Sequence, residues 1–267
     1  MFQALKQMFV REQVAPPPAA VPAGQRVYAI GDIHGRLDLF TALIEAIEAD
    51  DASRPAAQTL IVLLGDLVDR GADSKGVIDL ARAWQGTRAV RILAGNHEEM
   101  FLRSLNDTEM FRHFLRHGGK ETALSYGIEP ASFQQATMEE AQDMLRQAVP
   151  GEHIDFMLAF EDMVKVGDYL FVHAGIDPRV SIEEQKRKDL RWIREPFLSH
   201  ADSHGMVVVH GHTISEAPED CGNRIGIDTG AFMTGRLTAL VLEGTTRRYI
   251  EAVEGEDGAI VAAALAA

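Results

Sequence analysis

Six side chains that commonly bind metal ions follow apolar segments at points where glycine interrupts the chain. They combine carboxylates, imidazoles and one amide: Asp32, His34, Asp66, Asn96, His173 and His212. This mixture of ligands suits borderline divalent ions such as manganese, iron, zinc or cobalt. Six ligands exceed the needs of one tetrahedral site but fit two ions that share a carboxylate. Two such ions can position a bridging hydroxide for in-line attack on a phosphoryl group.

Each of these residues, taken alone, has an ordinary structural explanation. Asp32 and Asp66 could serve as turn residues after glycine. His173 could be a buried histidine whose nitrogens bond to the backbone, and His212 could cap a loop. The metal hypothesis therefore depends on the whole set, because its members follow several different apolar segments.

The segments that must position these residues alternate between strand and helix. The patterns predict strands at 26–30, 59–64 and 89–93, with apolar residues at helical spacing after the first two. Repeated strand–helix units imply right-handed crossovers and a largely parallel sheet, in which ligands bind at the carboxyl ends of the strands. We therefore expect an α/β fold with its polar loops at one edge of that sheet.

The remaining segments define the expected domain boundaries. Residues 26–253 should form the catalytic domain, in which 98–160 is a helical insert that either covers the site as a lid or only packs against it. Further strands are predicted at 163–166, 169–172, 206–209, 224–228, 237–242 and 247–250. The proline-rich segment 1–25 reads as a disordered tail and linker, and 254–267 reads as a frayed C-terminal tail.

Composition excludes several classes of function. The chain has 267 residues and a net charge of -14, which argues against general binding of nucleic acids or of anionic membranes. Cys221 is the only cysteine, and position 227 holds Ile rather than the Arg that a thiolate phosphatase loop requires. No apolar segment is long enough to span a membrane or to act as a secretory signal. These features predict a cytoplasmic protein without integral membrane association.

Three loop sequences resemble the signature motifs of the PPP-type metallophosphoesterases, the family of the serine/threonine protein phosphatases. They occupy 31–35 (Gly-Asp-Ile-His-Gly), 65–71 (Gly-Asp-Leu-Val-Asp-Arg-Gly) and 95–98 (Gly-Asn-His-Glu). The segments 173–175, 192–195 and 211–213 continue the match in chain order. The resemblance covers roughly 26–242 and is strongest to the bacterial and phage branch of the family.

The resemblance implies a calcineurin-like metallophosphoesterase fold, with two mixed β-sheets sandwiched between helices. It also implies two divalent ions, with manganese favoured and iron, zinc, cobalt or nickel as alternatives. The two implied ligand sets, which share one carboxylate, are Asp32, His34 and Asp66 for one ion, and Asp66, Asn96, His173 and His212 for the other.

The same resemblance implies roles for the residues beside the metal ligands. His97 would protonate the leaving group, and Asp69 would orient it and keep it cationic. Arg70, Arg194 and Asn96 would bind the substrate phosphate, for which a planar guanidinium offers two parallel donors. The residue before the Gly-Asn-His motif is Ala94, where many relatives carry a basic residue, so one phosphate-binding charge is absent.

These roles favour a serine/threonine protein phosphatase acting on phosphoproteins or phosphopeptides. A hydrolase of dinucleoside polyphosphates such as diadenosine tetraphosphate is the nearest alternative, because it resembles the family in the same motifs. Such enzymes often lack the Asp-Arg pair of the second motif, which is present here as Asp69 and Arg70. A third alternative is an inactive scaffold of the same fold, and the intact set of six ligands argues against it.

Overall fold

The computed structural model describes residues 18–265, whose strands form two β-sheets. Along the chain the strands are β1 (Gln25–Ile30), β2 (Gln58–Leu63), β3 (Val90–Ile92), β4 (Met163–Val166), β5 (Tyr169–Val172), β6 (Val207–His210), β7 (Glu219–Asp220), β8 (Arg224–Gly226), β9 (Arg236–Glu243), β10 (Thr246–Glu254) and β11 (Ile260–Ala264). The first sheet has the order β11-β10-β9-β1-β2-β3, and the second has the order β4-β5-β6-β8-β7. Both sheets are mixed, with the parallel pairs β1–β2 and β2–β3 in the first and β5–β6 and β6–β8 in the second. The prediction of a largely parallel sheet is therefore wrong beyond β1–β3, because β9, β10 and β11 join the first sheet as antiparallel strands.

The α-helices connect the strands and flank the two sheets. They are α1 (Leu37–Ala52), α2 (Ser74–Gln85), α3 (Asn96–Ser104), α4 (Thr108–Phe114), α5 (Lys120–Ser125), α6 (Pro130–Gln135), α7 (Met138–Ala148), α8 (Gly151–Leu158), α9 (Arg187–Trp192) and α10 (Ala231–Thr234). None of the helices within residues 18–265 combines the length and the apolar character that crossing a membrane requires.

Side-chain alternation along the strands produces a layered core. In β1, Val27 and Ala29 join the apolar cluster between the sheets, which also contains Phe171 of β5. The neighbouring Tyr28 and Ile30 point to the opposite face and pack in the cluster under the helices. Successive residues of a strand face opposite sides of the sheet, so both faces of β1 are buried. The predicted arrangement of two mixed sheets between helices is present.

The insert between β3 and β4 is helical, as its apolar spacing predicts. It comprises α3 to α8, and a π-helical segment at Leu115–Gly119 joins α4 to α5. Gly118 has φ 101°, in the left-handed region that favours glycine, and it breaks the regular helix there. This kink separates α4 from α5.

The prediction of a frayed C-terminal tail at 254–267 is wrong for its described part. Strand β11 pairs antiparallel with β10 along five residue pairs, so the first sheet extends beyond residue 253. Ile260 and Ala262 pack against the helix-covered core, which explains why this alanine-rich segment is ordered.

The predicted N-terminal linker is also wrong where the structure describes it. The backbone N–H of Ala20 donates to Asp168, and that of Val21 donates to the carbonyl of Gly244 at 3.0 Å. Val21 is buried in the cluster between the sheets. These contacts attach 19–21 to the domain, whereas residues 1–17 of the predicted tail lie outside the described residues.

Candidate active site

The loops at the carboxyl ends of β1, β2 and β6 contain strained backbone. Within residues 18–265, the non-glycine residues with positive φ all lie in these loops: His34, Asp66, Asp69, Arg70 and His212. Left-handed backbone costs a side-chain-bearing residue free energy of about 1 kcal/mol or more, and it concentrates at functional sites. This clustering marks the loops as a candidate functional site independently of their side chains.

Asp66 lies at the centre of two groups of possible metal ligands. The Nε2 of His34 is 3.6 Å from Asp66 Oδ2, and the Nε2 of His173 is 3.5 Å from Asp66 Oδ1. Candidate ligand atoms of Asp66, His173 and His212 all lie within 4.8 Å of one another, as do those of His34, Asp66 and His97. One carboxylate is therefore shared by two sets, which is the arrangement that a pair of ions requires.

The two remaining predicted ligands lie in the same cluster. The Oδ1 of Asn96 is 2.9 Å from His173 Nε2, and the backbone N–H of His212 donates to Asp32 Oδ2 at 3.1 Å. All six predicted ligands are at most 8% exposed. The structure thus brings together residues that are up to 180 positions apart in the chain.

The protonation of the histidines fits a bound cation. The Nδ1 atoms of His34 and His173 lie 2.8 Å from the carbonyls of Val68 and Leu64, so each Nδ1 carries the proton. Burial lowers the pKa of both histidines, which favours the neutral ring with a lone pair on Nε2.

These lone pairs point at oxygen atoms that are themselves acceptors. Each Nε2 faces an oxygen of Asp66, and no proton lies between them in the neutral rings. Within residues 18–265, the buried Nε2 of His212 has no hydrogen-bond partner, and burial lowers its pKa to about 3. Converging lone pairs without a donor are the pattern that metal ions satisfy, so the residues present fit divalent cations.

The carboxylates of the cluster have strongly perturbed pKa values. Burial raises the pKa of Asp32, and the nearby charges of Asp228 and Asp66 raise it further. Burial also acts to raise the pKa of Asp66, but the attraction of His173 and the other surrounding imidazoles in their protonated forms lowers it well below its usual range. Such opposite shifts in neighbouring buried acids are typical of functional sites.

His97 and Asp69 form a hydrogen-bonded pair beside this cluster. The Nδ1 of His97 lies 2.7 Å from Asp69 Oδ2, and both side chains are almost fully buried. Burial acts to lower the pKa of His97, but the charges of Asp66 and Asp69 raise it above its usual value. A raised pKa allows a histidine to take up a proton near neutral pH. Because Asp69 occupies Nδ1, Nε2 is the nitrogen from which His97 can deliver that proton, once Arg70 no longer donates to it.

Two arginines line the same cavity, whose volume is about 200 Å³. The guanidinium of Arg70 lies 3.1 Å from His97 Nε2 and stacks 4.6 Å from the centre of the Phe232 ring. Arg194 enters from the chain after α9, and its Nη2 is 3.4 Å from the carbonyl of His212. Both arginines can therefore reach an anion held at the ligand cluster.

The helical insert also contributes to this cavity. His113 of α4 and His117 of the π-helical segment line its wall, together with Trp192 of α9. The insert thus borders the candidate site, and its role as a lid or as a packing element stays a prediction.

Glu98 is a buried residue of the candidate site that the sequence patterns did not single out. Its carboxylate accepts hydrogen bonds from the backbone N–H groups of Asp66, Leu67 and Gly95, at 2.7 to 2.9 Å. It therefore ties the loop after β2 to the loop after β3. Gly95 and Glu98 occupy the N-cap and N3 positions of α3, where a glutamate commonly accepts from the N-cap N–H, and this spacing could have indicated the role.

Asp228 is a second such residue. Its side chain is only 2% exposed. The N–H of Gly230 donates to the carboxylate and acts to lower its pKa, but burial and the charge of Asp66 raise the pKa to about 6. Its charge acts on Asp32, one of the predicted ligands. The only sequence signal is an acid that follows the apolar end of β8.

Comparisons with known proteins agree with this geometry. The family model described as calcineurin-like phosphoesterase matches residues 25–231. The chain is 30% identical over 224 residues to serine/threonine-protein phosphatase 1 of Salmonella typhimurium, which covers 80% of this chain and 90% of that protein. It is 27% identical over 235 residues to the asymmetrical bis(5'-nucleosyl)-tetraphosphatase PrpE of Anoxybacillus flavithermus, which covers 79% of this chain and 88% of that protein.

A solved structure of a candidate diadenosine tetraphosphatase superposes with a TM-score of 0.60 at 18% identity. The match covers 93% of this chain and 98% of that chain, so the two proteins share a fold over nearly their whole length.

Proposed function

Because the chain belongs to the calcineurin-like phosphoesterase family, as its loop motifs predicted, we propose that it removes phosphate from phosphoserine and phosphothreonine residues of proteins. Members of this family are hydrolases that use a dimetal centre. When bound, two divalent ions acidify a water molecule and polarise the phosphoryl oxygens.

The residues that would hold the ions are those of the two overlapping ligand groups. Asp66 would be shared, and manganese is the ion that we propose first. The first ion would be held by Asp32, His34 and Asp66, and the second by Asp66, Asn96, His173 and His212.

The observation that carries the proposal is the pair formed by His97 and Asp69 at the edge of this cluster. The alkoxide of serine or threonine is a poor leaving group and needs a proton as the P–O bond breaks. A phosphate leaving group, as in a dinucleoside polyphosphate, departs without one. A buried histidine whose pKa is raised by carboxylates therefore favours phosphate esters of alcohols.

The remaining polar groups of the cavity would hold the phosphate. Arg70 and Arg194 present guanidinium groups to it, and Asn96 presents its amide. A guanidinium can donate two parallel hydrogen bonds to two phosphate oxygens, which orients the phosphoryl group as well as neutralising it.

Hydrolysis of dinucleoside polyphosphates is the second candidate function. The similarity to the tetraphosphatase PrpE over most of both chains supports it. The absence of a basic residue at Ala94 also supports it, since many protein phosphatase relatives carry one there.

Steady-state kinetics on a matched substrate panel test the proposal. Metal-free protein is reconstituted with Mn²⁺, Fe²⁺, Zn²⁺, Co²⁺ or Ni²⁺ and assayed on phosphoserine, phosphothreonine and phosphotyrosine peptides and on diadenosine tetraphosphate. We expect the highest kcat/KM with Mn²⁺ and the phosphoserine or phosphothreonine peptides. Asp66→Asn should abolish turnover, whereas Cys221→Ser at an exposed position should not change it.

Two results would contradict the proposal. A higher kcat/KM for diadenosine tetraphosphate than for every peptide would support the second candidate function instead. Failure to hydrolyse any of these substrates, with two equivalents of metal bound, would support the inactive scaffold.

A further inference from the structure

Asp69 contacts other groups in addition to its partner His97. It is fully buried, and its φ of 74° lies in the left-handed region. One oxygen, Oδ2, contacts His97 Nδ1, while the other, Oδ1, accepts a hydrogen bond from the hydroxyl of Thr122 at 2.6 Å. Its backbone N–H lies 2.9 Å from both Thr122 Oγ1 and Ser74 Oγ.

The hydroxyl of Thr122 is completely used in this network. It donates to Asp69 Oδ1 and can accept from Asp69 N–H and from Ser74 Oγ, which is 2.9 Å away. A hydroxyl has one donor and two acceptor sites, so no bonding capacity remains. Fully satisfied buried networks of this kind hold their members in one geometry.

Thr122 belongs to the helical insert rather than to the loop that it supports. It lies on α5, 53 residues after Asp69, and its side chain is fully buried. A second contact joins the same two regions, because the N–H of Arg70 donates to the carbonyl of Gly118 at 3.0 Å. A Cβ at Gly118 would lie 2.6 Å from that nitrogen, so the close approach needs glycine.

We propose that Thr122 is a positioning residue for proton transfer, which holds Asp69 so that Asp69 in turn aligns His97 with the leaving group. This inference rests on the proposed function, because His97 is the acid of that reaction and Thr122 would align it through Asp69. The insert then completes the catalytic machinery, in addition to lining the cavity.

A purely structural role for Thr122 gives different expectations. Valine has nearly the same shape as threonine, so Thr122→Val removes the hydroxyl and leaves the volume almost unchanged. Ser74 remains available to accept from the backbone N–H of Asp69, so the variant loses mainly the bond to Asp69 Oδ1. Thr122→Ser restores the hydroxyl and removes a methyl group.

The experiment compares two substrates that differ in their need for an acid. p-Nitrophenyl phosphate releases a stabilised phenolate, whereas a phosphoserine peptide releases an alkoxide. For Thr122→Val we expect kcat on the peptide to fall about 10- to 100-fold, within the usual range for general acid catalysis. KM for both substrates should change less than about threefold, because phosphate binding is retained. The kcat on p-nitrophenyl phosphate should also change less than about threefold, because its leaving group does not need the acid.

Two further variants serve as controls. Thr122→Ser should recover most of the peptide activity. Thr108→Val lies in the same insert and removes a hydroxyl that donates to Gln142, away from the cavity, so it should behave like the wild type on both substrates. Bound metal is measured for every variant and should equal that of the wild type.

Several results would overturn the inference. Equal losses on both substrates, or a serine variant as impaired as the valine variant, would indicate a structural role only. Wild-type kinetics in Thr122→Val, with His97→Ala impaired on the peptide alone, would overturn the inference and leave the proposed function standing. A wild-type protein without phosphoesterase activity would overturn both.

Discussion

Gly95 allows a direct test of how closely the loops confine the proposed metal ligands. Its φ of -84° is one that alanine adopts readily, so backbone strain does not require glycine. A Cβ at this position would overlap Oδ1 of Asp66 and would lie 2.5 Å from the backbone nitrogen of Asp66. Gly95→Ala therefore perturbs the shared ligand through contact alone.

The size of the effect follows from these contacts. An ordinary van der Waals contact to carbon is about 3.5 Å, so the backbone of Asp66 must withdraw by about 1 Å. Metal–ligand distances tolerate about 0.2 Å, so the displacement exceeds what a metal site accepts. We expect metal binding to weaken at least about 10- to 100-fold and kcat to fall about 100-fold. Crowding should lower the free energy of unfolding by about 1–3 kcal/mol.

Isothermal titration calorimetry of the metal-free protein with Mn²⁺ measures the affinity and the number of ions bound. Gly151→Ala is the matched control, because its Cβ would have no neighbour within 4 Å and the residue opens α8. The control should bind Mn²⁺ as the wild type does, and its Tm should be equal or slightly higher. If Gly95→Ala bound two Mn²⁺ ions with wild-type affinity, Asp66 would not be the shared ligand of a confined site.

Three further predictions test other parts of the structure. Arg194→Ala should raise KM for phosphopeptides about 10-fold with unchanged metal content, and Arg194→Lys should recover only part of this, as measured by steady-state kinetics. Arg26 is buried and bonds to Asp51 and Glu243, so Arg26→Met should lower the free energy of unfolding at pH 7 by about 3 kcal/mol in urea denaturation. Burial acts to raise the pKa of Asp51, but hydrogen bonds from Thr59 and Arg26 lower it below its usual value. The stabilisation by this ion pair should therefore be complete above about pH 4. At lower pH the difference in free energy of unfolding between variant and wild type should shrink. Truncation of β11 should lower the Tm by on the order of 5 °C in a thermal scan, because the partly buried Ile260 packs against the core, and an unchanged Tm would show that this strand adds no stability.

The fold class could be read from the sequence because its strongest signals are local. Apolar segments that end at glycine and alternate with helix-like segments predict neighbouring parallel strands, and β1, β2 and β3 are parallel. The antiparallel strands β9, β10 and β11 on the other side of β1 were not predicted from this pattern. The gathering of the candidate ligands was predictable for the same reason, since the ends of parallel strands meet at one edge of the sheet. Asp32, Asp66 and Asn96 follow β1, β2 and β3 in this way.

The chain ends were not predictable from local patterns. The segment at 260–264 is rich in alanine and has no alternation of polar and apolar residues. Its strand conformation comes from hydrogen bonds to β10, with which it forms a hairpin, and from packing under α1, which lies far away in the chain. Tertiary contacts of this kind routinely override weak local preference.

The supporting residues of the site were hidden for a related reason. Thr122 and Asp228 have side chains that are common in helices and turns, and nothing near them in sequence indicates an unusual role. Their importance lies in the groups that they face, Asp69 for Thr122 and Asp32 for Asp228.

By itself, the sequence determined which chemical groups are available and at which edge of the sheet they gather. Only the tertiary structure decided which oxygen of Asp66 faces which imidazole, which hydroxyl secures Asp69 and how the insert meets Arg70. The physical reason is that strand and helix periodicity is encoded within a few neighbouring residues. Hydrogen-bond partners in a buried site are selected by packing across the whole chain, where each donor and acceptor must find its complement.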